Sequence, residues 1–349
     1  MRRVTIKDVA EAVGLSVSCT ARALKGRPDI SLATCRRVGE MARRMGYAPD
    51  PMLTSLAAYR QSRKPPQFRG TLAFLTPLYT EKTCLSGLDC GDLLRGARAR
   101  AEALGYSLDY FNLAEVRKSR LGIEGILHAR GIRGVLIRSF PKTMEEFSFP
   151  FDRFTCVSLF SEPHTSILST VSSQHAQSME LVLTKLKARG CRHPALVINE
   201  PMSKLIHHGW WTTFTVYGSQ FENASVFTFD DKRTPLFSGD PALRRQAAAS
   251  LNKWAKGHRV DALIYGSSEY GIPEEHKRPE WRARHIPNIV SLDLFDPECG
   301  LCGIYQDRPQ ASAVAVDWLQ TQILTQQVDV PSPRVAIMIP GRWIEESGR

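Results

Sequence analysis

The spacing of apolar residues in the first 49 positions predicts three short helices joined by tight turns. The first begins with a capping box at Thr5, and the second is expected from Val17 to Leu24, after a glycine turn and the capping residue Ser16. Ser31 then caps a third helix, expected over residues 32–45. Two helices joined by a turn that contains glycine, with a third helix bracing them, predict a helix-turn-helix domain.

The same pattern separates a buried face from an exposed face. The positions expected to face inward are Ile6, Val9, Ala10 and Val13 in the first helix, Ala21 and Leu24 in the second, and Cys35, Val38, Met41, Ala42 and Met45 in the third. Val17, Ser18 and Arg22 then project from the other side of the second helix. A methyl-bearing residue suits a thymine methyl group, a hydroxyl suits either base edge, and arginine donates two hydrogen bonds to guanine. The second helix is therefore a candidate for reading DNA, although an ordinary small helical bundle has the same apolar spacing.

From Thr71 onward, buried strands alternate with amphipathic helices in two successive halves. Alternation of this kind predicts parallel sheets covered by helices, and two halves predict two α/β lobes with a cleft between them. Ligands bind such sheets at the carboxyl ends of the strands. Between the two regions, residues 52–58 form a marginal helix of about two turns, too short to be stable alone in water. Residues 50–67 are interpreted as a linker that ends at Pro65 and Pro66.

Charge is unevenly distributed along the 349 residues. The formal net charge is +11, and residues 1–64 carry 13 Lys and Arg against five acids, which leaves only +3 for the other 285 residues. A small basic module attached to a nearly neutral body is typical of a protein that binds a polyanion.

The eight cysteines are expected to be reduced thiols, because no export signal precedes them. The pair Cys299 and Cys302 forms a lone CxxC motif without the further ligands of a zinc site, so no metal or cofactor is expected. The sequence contains no run of 18 apolar residues, so no membrane span is expected. The expected location is the cytoplasm, in association with the nucleoid. No nucleophile-elbow, Walker A, dinucleotide-binding or zinc-protease motif is found, so the protein is not expected to be an enzyme.

The first 60 residues resemble the lactose-repressor (LacI/GalR) family of bacterial transcription factors. The matching text is VTIKDVAEAVGLS, the helix ending in ARAL, the third helix up to RMGYAPDP, and TSL. The remainder resembles the effector domain of that family, a two-lobed α/β domain of the type I periplasmic-binding-protein fold, in DLLRGARARAEALGY, RGIRGVLI, IPNIVSLD and IYQDRPQASAVAVDWL. The expected domains are a helix-turn-helix domain over 1–49, a hinge helix and linker over 50–67, and an effector-binding and dimerisation domain over 68–349.

The resemblance implies roles for individual DNA-binding positions. Val17, Ser18 and Arg22 match base-reading positions, and Leu56 matches a hinge leucine that wedges into the minor groove. Thr5, Ser16, Ser31 and Thr34 match positions where hydroxyl groups and helix starts meet phosphates, and Lys25 completes the set of expected DNA contacts. Asp50 stands where asparagine is usual, and residues 19–21 also depart from the common text.

The effector pocket matches the family less well. Ile206 stands where sugar-responsive relatives have arginine, Gln174 aligns with an aspartate, and Gly266 and Ser267 replace an Asn-Asp pair. Asp293 matches a polar pocket position, and Trp210 offers a stacking face for a sugar ring or simply packs in the lobe. The residues expected to bind an effector are His207, Trp210, Ser267 and Asp293.

The sequence therefore predicts a dimeric regulator, most simply a repressor of carbohydrate-related genes. It would bind a pseudo-palindromic double-stranded operator under allosteric control by a sugar or sugar derivative. The alternative is an operator-binding protein with a vestigial pocket, controlled by a protein partner or by its own abundance. No contact with a membrane is expected.

Overall fold

The architecture is taken from a computed structural model of the protein. It describes residues 4–24, 30–47, 68–76, 80–116, 122–138, 149–160, 168–199, 203–204, 206, 208–229, 241–267, 271–325 and 334–346. The expected hinge over 50–67, with Leu56, lies outside these ranges.

The N-terminal domain contains the three expected helices. They are α1 (Ile6–Val13), α2 (Val17–Leu24) and α3 (Leu32–Arg44). Gly14 ends α1 in the left-handed conformation with φ 67°, which glycine adopts without steric cost. The buried core of this domain is formed by Val9, Ala23, Val38 and Ala42.

The first lobe contains a six-stranded parallel sheet in the order β11-β5-β4-β3-β1-β2. Its strands are β1 (Gly70–Thr76), β2 (Tyr106–Asn112), β3 (Gly134–Arg138), β4 (Thr155–Leu159), β5 (Ser169–Ser173) and β11 (Ala336–Ile339). Its helices are α4 (Glu81–Ser86), α5 (Leu88–Ala103), α6 (Leu113–Val116), α7 (Gly122–Ala129) and α13 (Arg308–Leu324), with a 3-10 turn at Phe151–Arg153.

The second lobe contains another six-stranded sheet, in the order β12-β10-β9-β8-β6-β7. Its strands are β6 (Pro194–Asn199), β7 (Ser225–Phe229), β8 (Ala262–Tyr265), β9 (Asn288–Leu294), β10 (Cys302–Tyr305) and β12 (Arg342–Ile344). Its helices are α8 (His175–Ala188), α9 (Gly209–Gly218), α10 (Pro241–Gly257), α11 (Glu274–Lys277) and α12 (Pro279–Arg284). These strands run parallel except for β12, which is antiparallel to β10.

The chain crosses between the two lobes three times within the described ranges. It passes from β5 to α8 at Gln174, from β10 to α13 at Gln306 and Asp307, and from β11 to β12 at Pro340 and Gly341. Because the crossings lie at the carboxyl ends of strands, the residues beside them face the region where a ligand would bind.

The structure also corrects several details of the sequence interpretation. Thr20 and Ala23 are the buried residues of α2, whereas Ala21 is half-buried. Helix α3 ends at Arg44, and Met45 caps it. The sequence pattern missed β5, because its Ser and Thr residues do not resemble an apolar strand, and it also missed the four-residue strand β10. The expectation that all cysteines are free thiols is wrong, because Cys84 and Cys90 form a disulfide.

Candidate DNA-binding interface and effector cleft

Local hydrogen bonds fix the start of each helix in the N-terminal domain. Thr5 caps α1 in a reciprocal capping box with Asp8. The Ser16 hydroxyl accepts a hydrogen bond from the Cys19 amide at 3.1 Å at the start of α2. The Ser31 hydroxyl accepts one from the Thr34 amide at 3.2 Å at the start of α3. Each of these contacts satisfies a backbone donor that the helix itself leaves unpaired, so the helix starts are rigid.

Helix α2 presents an exposed face that carries the expected base-reading residues. Val17 is 44% exposed, and both Ser18 and Arg22 are exposed. The buried Thr20 and Ala23 fix the opposite face against the domain core. Because an exposed valine has an unfavourable contact with water, its place at the first turn fits a surface that docks on another molecule.

The hydroxyl residues expected at phosphates lie on the surface of the same domain. Thr5, Ser16 and Ser31 are exposed, and Thr34 is half-buried with its hydroxyl 2.8 Å from that of Ser31. They all belong to helix starts, where backbone N–H groups and the helix dipole favour a negative charge. Lys25 lies outside the described residues.

Four charged residues lie where the two lobes meet, two near the carboxyl ends of β3 and β9 and two in the first turns of α5 and α13. We call Asp89, Arg138, Asp293 and Arg308 the interlobe cluster. The Arg308 guanidinium donates from Nε to Asp89 in the first lobe at 2.9 Å, and from Nη2 to Asp293 in the second lobe at 2.6 Å. Arg138, at the end of β3, donates to the other oxygen of Asp89. The cluster therefore contains two positive and two negative charges, and the side chain of Arg308 contacts both lobes.

The environment of Arg308 keeps it charged although its side chain is only 5% exposed. Burial alone lowers the pKa of Arg308, but Asp293 and then Asp89 outweigh this effect and raise it above the ordinary value. The guanidinium also stacks on the Phe295 ring at 4.2 Å. Asp293, which the sequence predicts to bind an effector, is thus already engaged by a cation of the chain itself.

A half-buried histidine, His175, adjoins the cluster at the first crossing. Burial, and secondarily the charge of Arg308, lower the pKa of His175 to about 4, so its ring is neutral at pH 7. Trp210 packs edge-on against this ring, with centroids 5.2 Å apart. Trp210 is 3% exposed and belongs to the core of the second lobe. Its ring face is therefore packed rather than open for a sugar, whereas its Nε1 has no hydrogen-bond partner in the described structure.

In the described part of the chain, several uncharged polar atoms near the carboxyl ends of the strands of both sheets have no hydrogen-bond partner. They are Thr76 Oγ1, His175 Nδ1, Trp210 Nε1, Ser267 Oγ and Gln306 Oε1. Thr76 is the last residue of β1, Ser267 follows β8 by two residues, and Gln306 follows β10 directly. No contact joins the Ser267 side chain to Asp293 among those described, and His207 lies outside the described residues.

Sequence reasoning found Asp293 but missed its partners. Arg308 lies in IYQDRPQ, a stretch that resembles the family's effector domain, and Asp89 and Arg138 belong to no motif. Their separation along the chain reaches 219 residues for Arg308 and Asp89. Arg138 and Arg308 at least end or closely follow a strand, whereas Asp89 lies in the first turn of a helix and carries no such signal in the sequence.

The two cysteines of the CxxC motif are not bonded to each other. Cys299 is exposed and Cys302 is buried, and both are free thiols. Cys302 lies 3.4 Å from a guanidinium nitrogen of Arg189, and burial raises its pKa. Within the described ranges, no group of three or more potential metal ligands is found, and no helix has the length and apolar character needed to cross a bilayer.

The arrangement defines a class of protein: a helix-turn-helix DNA-binding domain followed by a two-lobed, periplasmic-binding-protein-like α/β domain. The family model for bacterial regulatory proteins, lacI family, matches residues 5–50. The N-terminal domain therefore belongs to the LacI/GalR family of bacterial DNA-binding regulatory domains, whose family model covers this part of the chain.

Solved structures share the fold of the chain at low sequence identity. The lac repressor dimer bound to operator and the anti-inducer ONPF has a TM-score of 0.54 and 18% identity, covering 99% of this chain and 98% of that chain. The transcriptional regulator CelR in complex with cellobiose has a TM-score of 0.54 and 15% identity, covering 99% and 100%. A periplasmic binding ribose operon repressor protein from Lactobacillus acidophilus has a TM-score of 0.54 and 12% identity, covering 80% and 98%. No curated protein matches by sequence.

Proposed function

We propose that this regulator is a dimeric repressor that binds a pseudo-palindromic operator in the cytoplasm. The observation that carries the proposal is the exposed face of α2, where Val17, Ser18 and Arg22 stand on a helix whose start is capped by Ser16. A rigid helix that presents a methyl-bearing residue, a hydroxyl and a guanidinium matches the chemistry of base edges in the major groove. Two copies related by a twofold axis would read two half-sites.

Hydroxyl groups at the helix starts support the orientation of this helix on DNA. Thr5, Ser16, Ser31 and Thr34 would contact phosphates, and Lys25 and Leu56 would add a phosphate contact and a minor-groove wedge. Phosphate contacts fix the register of the protein, whereas base contacts provide the sequence information. The corresponding domain limits are 1–49, 50–67 and 68–349.

Selection from a random duplex library with the purified protein tests this function, with Arg22→Ala selected in parallel. We expect a palindromic motif whose G·C preference at one position of each half-site disappears in Arg22→Ala, at a cost of about 1–3 kcal/mol in binding. Arg284→Ala is the matched control, because Arg284 is also an exposed arginine, on α12 of the α/β domain. Salt-sensitive binding without a motif, unchanged by Arg22→Ala, would contradict the proposal.

We propose further that a small polar ligand, a sugar or sugar derivative, binds between the lobes and alters operator affinity. The support is the set of buried, unpartnered polar atoms at the strand ends, because such atoms cost free energy until a hydrogen-bond partner is present. Among the similar structures, one is a regulator in complex with cellobiose and another is a ribose operon repressor protein. A ligand acts allosterically only through its different affinities for two lobe arrangements.

A second candidate follows from the interlobe cluster: a regulator whose pocket no longer takes a small molecule and which is controlled by a protein partner or by abundance. It is favoured by the engagement of Asp293 by Arg308 at 2.6 Å. Isothermal titration with a panel of carbohydrates and nucleosides separates the two candidates. Binding heat from any compound, lost in Ser267→Val, would reject the vestigial pocket, and a silent panel would favour it.

A further inference from the structure

A disulfide lies beside the interlobe cluster, where α4 and α5 follow the end of β1. It joins Cys84 in α4 to Cys90 in the first turn of α5, six positions apart. Their residues are 0% and 5% exposed. The remaining residues of α4, a helix of six residues, are largely exposed. The disulfide therefore joins α4 covalently to the larger helix, beside the exposed ion pair of Glu81 with Arg98.

The disulfide is one residue away from the first-lobe end of the cluster. Asp89 directly precedes Cys90, and its carboxylate accepts hydrogen bonds from Arg308 and Arg138. Arg308 in turn holds Asp293 in the second lobe. Whatever fixes the first turn of α5 therefore fixes the carboxylate through which the first lobe holds Arg308.

The other buried thiols lie in environments that suppress thiol chemistry. Burial raises the pKa of Cys156 well above the ordinary value and raises that of Cys191 to about 12, and burial also raises the pKa of Cys302. Such thiols stay protonated at neutral pH and react slowly, because the thiolate is the nucleophile. Within the described residues, Cys84 and Cys90 are the two cysteines that are bonded to each other.

We propose that Cys84 and Cys90 are a reversible redox pair whose state sets the interlobe cluster through Asp89. The link to DNA binding rests on the proposed function, since a protein that acts on chromosomal DNA works where low-molecular-weight thiols keep most cysteines reduced. Disulfides found in that compartment are usually transient or redox-sensing rather than structural.

The oxidant is a low-molecular-weight disulfide such as glutathione disulfide. One protein thiolate attacks it, releases one glutathione thiol and forms a mixed disulfide; the second protein thiolate then displaces the second glutathione. The protein loses two electrons and two protons, and one glutathione disulfide becomes two glutathione molecules. The reverse exchange reduces the pair, after which α4 is too short to remain helical by itself and the first turn of α5 loses its covalent attachment.

The test uses the full chain with Cys19, Cys35 and Cys299, the more accessible free thiols, replaced by serine. The protein is equilibrated in glutathione buffers that span the range around cytosolic conditions, and free thiols are trapped with a maleimide and counted by mass. We expect the 84–90 pair to pass from bonded to free within this range. A pair that never forms, or one that stays bonded in the most reducing buffer, overturns the proposal.

The rate of amide hydrogen exchange then shows whether the redox state of the pair alters the structure around the interlobe cluster. We expect faster exchange in residues 80–95 and around Asp293 in the reduced protein, and the same increase in Cys84→Ser/Cys90→Ser without any reductant. Cys156→Ser is the matched control, because it removes a buried thiol elsewhere in the first lobe. Exchange that differs in residues 80–95 but not around Asp293 overturns the link to the second lobe.

Operator affinity in the two redox states separates this proposal from the proposed function. We expect a difference of about fivefold or more, the usual scale of allosteric coupling, which the Cys84→Ser/Cys90→Ser variant lacks. Equal affinity in both states overturns the regulatory role of the pair. Failure to bind any duplex, with the thiol and exchange responses intact, counts against the proposed function and supports the redox pair itself.

Discussion

At the scale of single residues, Arg308 is the charge on which most of the site depends. It is buried, and its side chain binds one carboxylate in each lobe. Removing one member of a buried ion pair leaves an uncompensated charge in a poorly solvated place, which costs far more than the intact pair contributes.

We therefore expect Arg308→Ala to lower the free energy of unfolding of the α/β domain by about 3 kcal/mol. Urea unfolding followed by tryptophan fluorescence measures this, because all six tryptophans lie between residues 210 and 343. The control is Arg100→Ala, which removes the pair of Arg100 with Asp317, whose side chains are 40% and 44% exposed. We expect less than about 1 kcal/mol from the control. Equal losses of unfolding free energy in both variants would mean that the buried interlobe contacts of Arg308 contribute no more to stability than an exposed ion pair.

His276 is a second residue whose burial has a measurable consequence. Its Nδ1 lies 2.7 Å from the Tyr265 hydroxyl and its Nε2 lies 2.8 Å from Asn252 Oδ1, and the side chain is fully buried. Burial, and secondarily the charge of His285, lower its pKa to about 3. The neutral ring donates from Nε2 to the amide oxygen and accepts at Nδ1, so protonation would disrupt the contact with Tyr265.

The lowered pKa predicts that stability falls as pH decreases. The unfolded chain binds a proton on His276 below pH about 6.5, whereas the folded chain does so only near pH 3, so the contribution is complete above pH 6.5 and is lost on acidification. Between pH 7 and pH 5 we expect a loss of about 2 kcal/mol from this group. Urea unfolding at the two pH values should show a smaller loss in His276→Gln. An unchanged slope in the variant would contradict the assigned environment.

At the scale of elements, α5 packs closely against α13 in the first lobe. Gly96 lies at this contact, and a Cβ atom there would come within 2.4 Å of the Pro309 carbonyl oxygen. The clash would be with backbone, which cannot move aside as a flexible side chain would. Pro309 adjoins Arg308, so the position of α13 relative to α5 also determines where the guanidinium meets Asp89.

We expect Gly96→Ala to destabilise the α/β domain by about 1–3 kcal/mol, although alanine is the better helix former. Unfolding in urea, monitored by tryptophan fluorescence, gives the value. Gly257→Ala, at the end of α10, is the control because a Cβ atom there meets nothing within 4 Å. Gly96→Ala with wild-type stability would show that α5 and α13 can move apart without lowering the free energy of unfolding.

At the scale of the whole molecule, charge and ligand-facing structure lie in different parts of the chain. The first 64 residues hold a net charge of +8, whereas the interlobe cluster has as many carboxylates as guanidinium groups. DNA binding should therefore depend on salt through the N-terminal part, because binding to phosphates releases condensed counterions.

We expect operator affinity to fall by about 1000-fold between 50 and 200 mM salt, which corresponds to the neutralisation of about six phosphates or more. Filter binding or fluorescence anisotropy over this range gives the slope. Arg308→Gln, which changes charge only in the cleft, should leave the slope unaltered. A slope near zero would exclude phosphate neutralisation as the main source of affinity.

The sequence by itself determined the N-terminal domain and the alternation of strands and helices. Helix bounds, capping residues and the exposed face of α2 depend on neighbours three or four positions away, so local spacing was enough. Val17–Leu24 was predicted and found with the same bounds, whereas its buried residues were assigned one position too far along the chain. Most strands of both lobes were also apparent as apolar runs.

The tertiary structure alone decided what the cleft contains. Asp293 was identifiable as a polar residue at the end of a strand, but its engagement depends on Arg308 and on Asp89, which is 219 positions from Arg308. The packing of Trp210 on His175 and the bond between Cys84 and Cys90 likewise depend on how the helices pack against the sheets. Local periodicity specifies which face of an element is buried, whereas the partner of a charged group is set by packing between elements distant in sequence.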